Sequence, residues 1–301
     1  MTKTEWYSAL AGAGYIANDS IIYTLMNAML LKVPILVEGA PGVGKTELAK
    51  AVSKALDLPL LRVQFYEGIQ NRDIMYEYDY ARQMLTTLAL QSNIEKGTDG
   101  LSIKDALDAI KDQVDIYDES FLIQRPLLAA INGNGRKVLL LDEIDKTSEE
   151  TEFALLELLS DFSMSIPELG KTVVCPEDQI PIVFLTSNNA RELSDALRRR
   201  CLYLYMPDKT TAELADIIRS KAEVSEKFSH SVAEQLQKIR ELDLKQKPSV
   251  AEGITWAKIL KDNFGGREDA SGADYSPYAG ALAKNKGDLE VVTRFLSGQE
   301  E

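Results

Sequence analysis

The stretch "ILVEGAPGVGKTELAKAV" constrains the fold more than any other part of the chain. A short β-branched apolar run ends in glycine, a glycine-rich turn follows, and a helical segment with Leu48, Val52 and Leu56 at spacing four comes next. Within it "GAPGVGKT", Gly39 to Thr46, fits G-x-x-x-x-G-K-[ST] in the context that pattern demands, strand before and helix after. The physical reason is specific. Glycines let successive backbone N–H groups curl around a phosphate, and the N-terminus of the following helix adds partial positive charge. Lys45 is placed to reach the outer phosphates and Thr46 to hold Mg²⁺. A tight strand-to-helix turn with a surface lysine is the bland alternative.

A phosphate loop of this kind belongs at the edge of a parallel sheet, and the chain supplies the strands. "VPILVEG", "PLLRVQF", "KVLLLDE", "IPIVFLT" and "LYLYM" are apolar throughout and alternate with helical segments, which implies a parallel sheet covered on both faces. Ahead of them, residues 19–32 predict a helix with Ile21, Ile22, Leu25, Met26, Met29 and Leu30 on one face and Asp19 or Ser20 as cap. Ile74, Tyr76, Tyr78 and Tyr80 alternate with polar neighbours, which is strand or hairpin periodicity. The acid-rich segment 94–119 predicts one helix, "IKDALDAIKDQV", and "SFLIQRPLLAAI" predicts another, begun or interrupted at Pro126. "FSMSIPELGKTVVCPED" reads as two short strands around a glycine-containing turn.

After Pro207 the strands stop. "TTAELADIIRSKA", "HSVAEQLQKIREL" and "PSVAEGITWAKILKDNF" predict helices, "GGREDASGADYSP" a loop, and a last helix is expected over about 279–297. The expected division is therefore an α/β unit over 1–207 and a small all-α unit over 208–301.

The chemistry-bearing residues fall at strand ends. Asp142 closes the apolar run "VLLLD" and would stand at the carboxyl edge of the sheet, where α/β proteins bind ligands. It suits a contact to Mg²⁺, direct or through a water. Glu143, one residue on, is placed to take a proton from an attacking water. In "FLTSNN", Asn188 offers a neutral amide between strand ends, able to orient water without adding charge; a turn-forming Asn pair is the bland reading. "LSDALRRRC" puts Arg198, Arg199 and Arg200 at the end of a short helix, where cations neutralise the helix C-terminus. The sharper reading is a guanidinium that reaches the phosphate site of a neighbouring subunit.

Composition bounds the remaining choices. A hydrophobic fraction of 45% over 301 residues is that of a folded chain. No apolar run approaches the roughly 18 residues that cross a bilayer, and the opening residues carry no secretory pattern. Two cysteines and one histidine speak against a disulfide framework and a histidine-based metal site, and a reducing cytoplasmic setting is expected. A formal charge of −13 argues against wrapping by nucleic acid.

With these residues in place, the chain resembles the AAA+ ATPases and, within them, the CoxD-like branch of the MoxR family. "GYIANDSIIYTLMNAMLLKVPILVEGAPGVGKTELAKAV" looks like the opening block, and "FYEGIQNRDIMYEYDYARQML" is similar to the segment after the second strand. "LLLDEID" matches Walker B, "IPELGK" the hairpin before sensor 1, "LSDALRRRC" the finger segment and "KPSVAEGITWAKIL" the lid helix. The resemblance implies a five-stranded αβα nucleotide-binding core and a helical lid, with a helix-2 insert at about 66–120 and a pre-sensor 1 insert at about 163–174. It implies ATP and Mg²⁺, a homo-oligomeric ring that is usually hexameric, a protein client and a partner bearing a von Willebrand A domain.

Carried onto this sequence, Gly39, Ala40, Pro41, Gly42, Val43, Gly44, Lys45, Thr46 and Glu47 would contact nucleotide, and Tyr15 and Ile16 would flank the adenine. Thr46 and Asp142 would face the metal, Glu143 would be the base and Asn188 sensor 1, with Arg200 the first choice for the finger and Arg199 the second. One departure stands out: "PSVAEG" has no arginine at the sensor 2 position, where Lys247 is the nearest cation in sequence. The leading expectation is an ATP-hydrolysing ring that remodels a protein. The alternatives are a nucleic-acid or defence-system motor subunit and a non-hydrolysing ATP switch.

Overall fold

The computed structural model describes residues 1–86, 88, 118–133, 135–264 and 274–298. Its centre is a five-stranded parallel sheet made of β1 (Ile35–Gly39), β2 (Leu60–Gln64), β5 (Val138–Asp142), β8 (Ile182–Ser187) and β9 (Leu202–Met206), in the order β2-β5-β8-β1-β9. These are the five runs the sequence singles out. Side chains alternate across the sheet as period two requires. Ile35, Val37, Val138 and Leu140 pack on one face with Trp6, Leu25, Leu48 and Val52. Leu36, Leu139 and Leu141 pack on the other with Leu127, Leu155 and Leu158. The three central strands β1, β5 and β8 are buried on both faces and carry no polar alternation until their ends, whereas the outer strands β2 and β9 expose Arg62, Tyr203 and Tyr205. Each fully buried aliphatic contributes roughly 1.5–3 kcal/mol.

Two small antiparallel pairs stand off this sheet. β3 (Tyr76–Tyr78) pairs with β4 (Leu122–Gln124), and β6 (Ser163–Ile166) pairs with β7 (Lys171–Val174) through the turn at Gly170. The second pair is the hairpin expected from "FSMSIPELGKTVV". The first corrects two expectations. The alternating stretch yields a strand only over Tyr76–Tyr78, because Asn71–Ile74 forms a short helix closed by a Gln70/Asp73 capping box. In "SFLIQRPLLAAI" the helix begins at Pro126, one of the two expected places, and runs to Ile131, because Pro126 suits the first helical turn. The part before it is not helical as expected but supplies the strand Leu122–Gln124, which finds a ladder partner. The helix expected in "IKDALDAIKDQV" lies outside the described residues.

The N-terminal region holds one expected helix and one that was missed. Asp19–Leu31 is helical, but its cap is Asn18, whose side chain accepts from the Ile21 N–H. Leu30 is 78% exposed, so it is not on the packed face, and Ala28 takes that place. Lys3–Gly12 forms a further helix with a Thr2/Glu5 capping box, anchored by Trp6 and Leu10.

The helices Thr211–Ala222, Glu226–Glu241 and Val250–Phe264 pack around Phe228, Leu236 and Trp256. The closing helix starts later than expected, at Lys286, because Ser276–Ala281 winds as a 3₁₀ turn before it. Among the described residues no helix is long and apolar enough to cross a membrane.

Asp288 fixes the loop that leads into Val250–Phe264. Its carboxylate accepts from the Lys245 and Gln246 amides at 2.9 and 3.0 Å and from Asn285 Nδ2 at 2.6 Å. Burial pushes this carboxyl up, yet the hydrogen bonds outweigh it and hold it below the usual carboxylate value. A group depressed on folding stabilises above its unfolded pKa, and that stability is lost as pH falls through the folded value. Asp288→Asn is therefore expected to lower the thermal midpoint at pH 7 and to converge with the parent chain in acid, checked by melting both from pH 7 to pH 3. A constant gap at every pH would contradict the assignment.

Candidate functional site

β1 delivers the chain to the glycine turn and the helix Lys45–Leu56 leaves it. Gly44 caps that helix at φ 103°, a left-handed conformation that a Cβ would strain, and it offers no side chain to the first-turn amides. Those N–H groups and the helix dipole therefore face the adjoining cavity. The cavity, about 610 Å³, is lined by loop residues Pro41 to Glu47, by Asp142, Glu143 and Asn188 from the strand ends, and by Tyr15 and Ile16. Its far wall comes from Val250–Phe264, through Val250, Ala251, Ile254 and Lys258. The glycine loop and the residue before that helix meet closely here: a Cβ on Gly42 would lie 2.5 Å from Ser249 Cβ.

Lys45 is buried, and its ammonium donates to the Gly39 and Ala40 carbonyls at 2.6 and 2.9 Å and to Asn188 Oδ1 at 2.7 Å. Burial holds its pKa below the usual lysine value, against the opposing pull of Asp145, Asp142 and Glu143. Gly39 and Ala40 do not line the cavity; their carbonyls serve Lys45.

Asp142 is the hub. Its Oδ1 accepts from Thr46 Oγ1 at 2.9 Å and from Thr186 Oγ1 at 2.6 Å. Thr186 in turn accepts from the Glu143 N–H at 2.9 Å. Glu143 sits at φ 58°, a left-handed position uncommon for a residue with a side chain, which turns it out of the strand direction into the cavity. Its carboxylate is ion-paired with Lys146. Asp145 accepts from the Asn188 and Ala190 amides at 3.2 and 2.9 Å, which fixes the backbone that carries the Asn188 side chain.

These groups suit a nucleotide polyphosphate and a hard cation. An uncapped helix start, a buried ammonium and a neutral amide surround the place where phosphate would sit. A threonine hydroxyl and a carboxylate stand beside it. No group of three or more His, Cys, Asp or Glu among the described residues could hold a metal by itself. That fits Mg²⁺, which is commonly held by one or two protein oxygens and completes its shell with water and substrate phosphates.

Tyr15 has a buried hydroxyl with no hydrogen-bond partner among the described residues, and burial, then the charges of Glu47 and Glu213, push its pKa up. Ile16 is 42% exposed at the cavity mouth.

The arginines separate. Arg198 pairs with the buried Glu38 at 2.7 Å, so it is a structural residue. Arg200 donates to the Ala196 carbonyl at 2.7 Å and to Ser160 Oγ, and Arg199 is exposed. Neither Arg199 nor Arg200 lines the cavity of its own chain.

Several residues escaped sequence reasoning. Lys247 is exposed and off the cavity, whereas Lys258 and the buried Lys209 line it. Lys258 follows Ala251 and Ile254 on one helical face, a signal that spacing carries. Arg62, which donates to Asp142, had none: it reads as a polar interruption of an apolar strand.

Residues 34–201 match the family described as AAA domain (dynein-related subfamily). No curated protein matches the chain. Among solved structures, RuvB of Thermotoga maritima, described as a Holliday junction branch migration motor, is 16% identical. The match covers 92% of this chain and 67% of that one, with a TM-score of 0.45. A proline-to-glycine mutant of that RuvB is 15% identical over 92% of this chain and 68% of that one, with a TM-score of 0.47.

Proposed function

The chain belongs to the AAA domains of the dynein-related subfamily and is an AAA+ ATPase, and from that premise we propose that it hydrolyses Mg²⁺-bound ATP at interfaces within a homo-oligomeric ring. The observation that carries this reading is the convergence of Lys45, Thr46, Asp142, Glu143 and Asn188 on one cavity beside an uncapped helix start.

In this reading the Gly42–Thr46 amides and Lys45 bind the β- and γ-phosphates. Lys45 exchanges the Gly39 and Ala40 carbonyls for phosphate oxygens, while Asn188 keeps it aligned. Thr46 donates its proton to Asp142, which leaves the hydroxyl lone pairs turned toward the cation site. The Mg²⁺ ion would supply charge neutralisation on the phosphates. Glu143 takes the proton of the attacking water, and Asn188 orients that water. Arg200, or Arg199, acts on the neighbouring subunit's γ-phosphate. Tyr15 and Ile16 flank the base.

Glu143 must leave Lys146 to serve as base. The pair is i,i+3 with half-exposed partners, and such pairs contribute little, about 0.2–1 kcal/mol. Lys146→Met is therefore expected to raise basal turnover by at most about fivefold. A drop in steady-state ATPase rate would show instead that Lys146 assists catalysis.

The finer reading is a member of the CoxD-like branch of the MoxR family, a ring, usually hexameric, that works in the cytoplasm on a protein client with a von Willebrand A domain partner. It is supported by the ordered sequence blocks, and by the two antiparallel pairs standing where that branch carries its inserts. The division into a core over 1–207 and a lid over 208–301 belongs to the same proposal. The test is Mg²⁺-dependent ATP turnover per chain against protein concentration. A rise with concentration supports a shared site, and an inert chain that still binds ATP overturns hydrolysis by the chain alone. ATPase stimulation by DNA, lost at high salt, would favour a nucleic-acid motor instead.

A further inference from the structure

Asp142 is engaged from both sides. Arg62, on the outer strand β2, donates Nε at 3.0 Å and Nη2 at 2.6 Å to Asp142 Oδ2. Thr46 and Thr186 fill Oδ1 at 2.9 and 2.6 Å. The guanidinium is also held by Gln64, which is the register partner of Asp142 across the β2–β5 ladder. The Arg62 side chain is 45% exposed and the Asp142 side chain 4%, so the guanidinium caps the carboxylate on its solvent side. Arg62 itself does not line the nucleotide cavity.

We propose that Arg62 is a positioning residue whose fixed counter-charge makes uptake of the divalent cation conditional on nucleotide; this rests on the reading of Thr46 and Asp142 as the metal-facing pair. The reasoning is a charge count around the strand end. Asp142, Glu143 and Asp145 are balanced by Lys45, Lys146 and Arg62, which contact or act electrostatically on them. A hard cation gains little by entering a balanced cluster, and Asp142 presents no unfilled lone pair to it. A polyphosphate bound along Lys45 adds several negative charges beside Thr46 and changes that balance. Without Arg62 the buried carboxylate keeps one uncompensated charge in a low-dielectric setting, and such a group recruits whatever cation is available.

The rival is a structural role, in which Arg62 only ties β2 to β5. Arg62→Gln and Arg62→Met remove the charge, one keeping hydrogen bonding and the other aliphatic packing, and whichever folds reports. Arg62→Lys keeps the charge and loses the fork. Two quantities are read on each full-length variant after its melting curve is recorded: Mn²⁺ binding without nucleotide, by electron paramagnetic resonance, and the affinity for a fluorescent ATP analogue in EDTA and in Mg²⁺. The parent chain is expected to show weak nucleotide-free Mn²⁺ binding and a clear Mg²⁺-dependent gain in nucleotide affinity. Arg62→Gln or Arg62→Met should bind Mn²⁺ without nucleotide about tenfold more tightly, a factor worth roughly 1.4 kcal/mol, and Arg62→Lys should match the parent. A folded neutral variant with unchanged Mn²⁺ binding overturns the proposal, and so does an Arg62→Lys chain that behaves like the neutral ones. If the parent shows no Mg²⁺-dependent gain, the reading of Thr46 and Asp142 fails, and the role of Arg62 falls with it.

Discussion

Glu143→Gln is expected to lower ATP turnover by about two to four orders of magnitude while leaving ATP binding intact, the range general-base removal costs. The amide is isosteric with the carboxylate, so the left-handed turn at residue 143 and the hydrogen bond from its N–H to Thr186 are retained. The capacity to take a proton is lost, together with the charge that pairs with Lys146. Steady-state turnover and binding of a fluorescent ATP analogue, measured on the same preparation, separate the two effects. Weakened binding alongside slow turnover would point to a collapsed strand end, and full turnover would remove Glu143 from the mechanism.

Arg200→Ala is expected to cost more, about 10³–10⁵ in turnover, if its guanidinium meets a neighbour's γ-phosphate in the transition state. The geometry leaves the two candidates in different situations. Arg200 is held by Ser160 and the Ala196 carbonyl, so reaching a neighbour requires it to exchange those bonds. Arg199 is exposed, and its side chain makes no hydrogen bond or ion pair to any described residue. Comparing Arg199→Ala with Arg200→Ala decides the order. Mixing the deficient arginine chain with a Lys45→Ala chain then tests action between subunits, because a mixed interface can combine an intact loop with an intact finger. No recovered turnover at any ratio, with assembly unchanged, would end the trans assignment.

The sheet was legible because its three central strands are buried on both faces. Nothing in "VLLL" or "IVFL" competes with that reading, and the phosphate loop marks the end of a third such run, "ILVEG". The loop and strand-end residues were legible for the same reason: a carboxylate or amide directly after an apolar run has few places to be. What escaped depends on partners distant in sequence. Leu30 looks like a core residue by period, yet it is left exposed. Leu122–Gln124 becomes a strand only because Tyr76–Tyr78 lies beside it. Arg62 acquires meaning through a carboxylate 80 positions away, and Lys258 through a helix packed across the cavity. Local pattern cannot report such pairings.

The approach of Ser249 to Gly42 has a mechanical consequence. Ser249 begins the helix Val250–Phe264, tied to it by reciprocal hydrogen bonds with Glu252 at 2.7 and 3.3 Å. At Gly42 the clearance is that of a hydrogen atom. Any tilt of that helix toward the loop presses on the backbone that would cradle phosphate, and any swelling of the loop pushes the helix away. The loop and the start of that helix are thus in direct steric contact at residues 42 and 249. Force can pass through that contact without a charge to carry it.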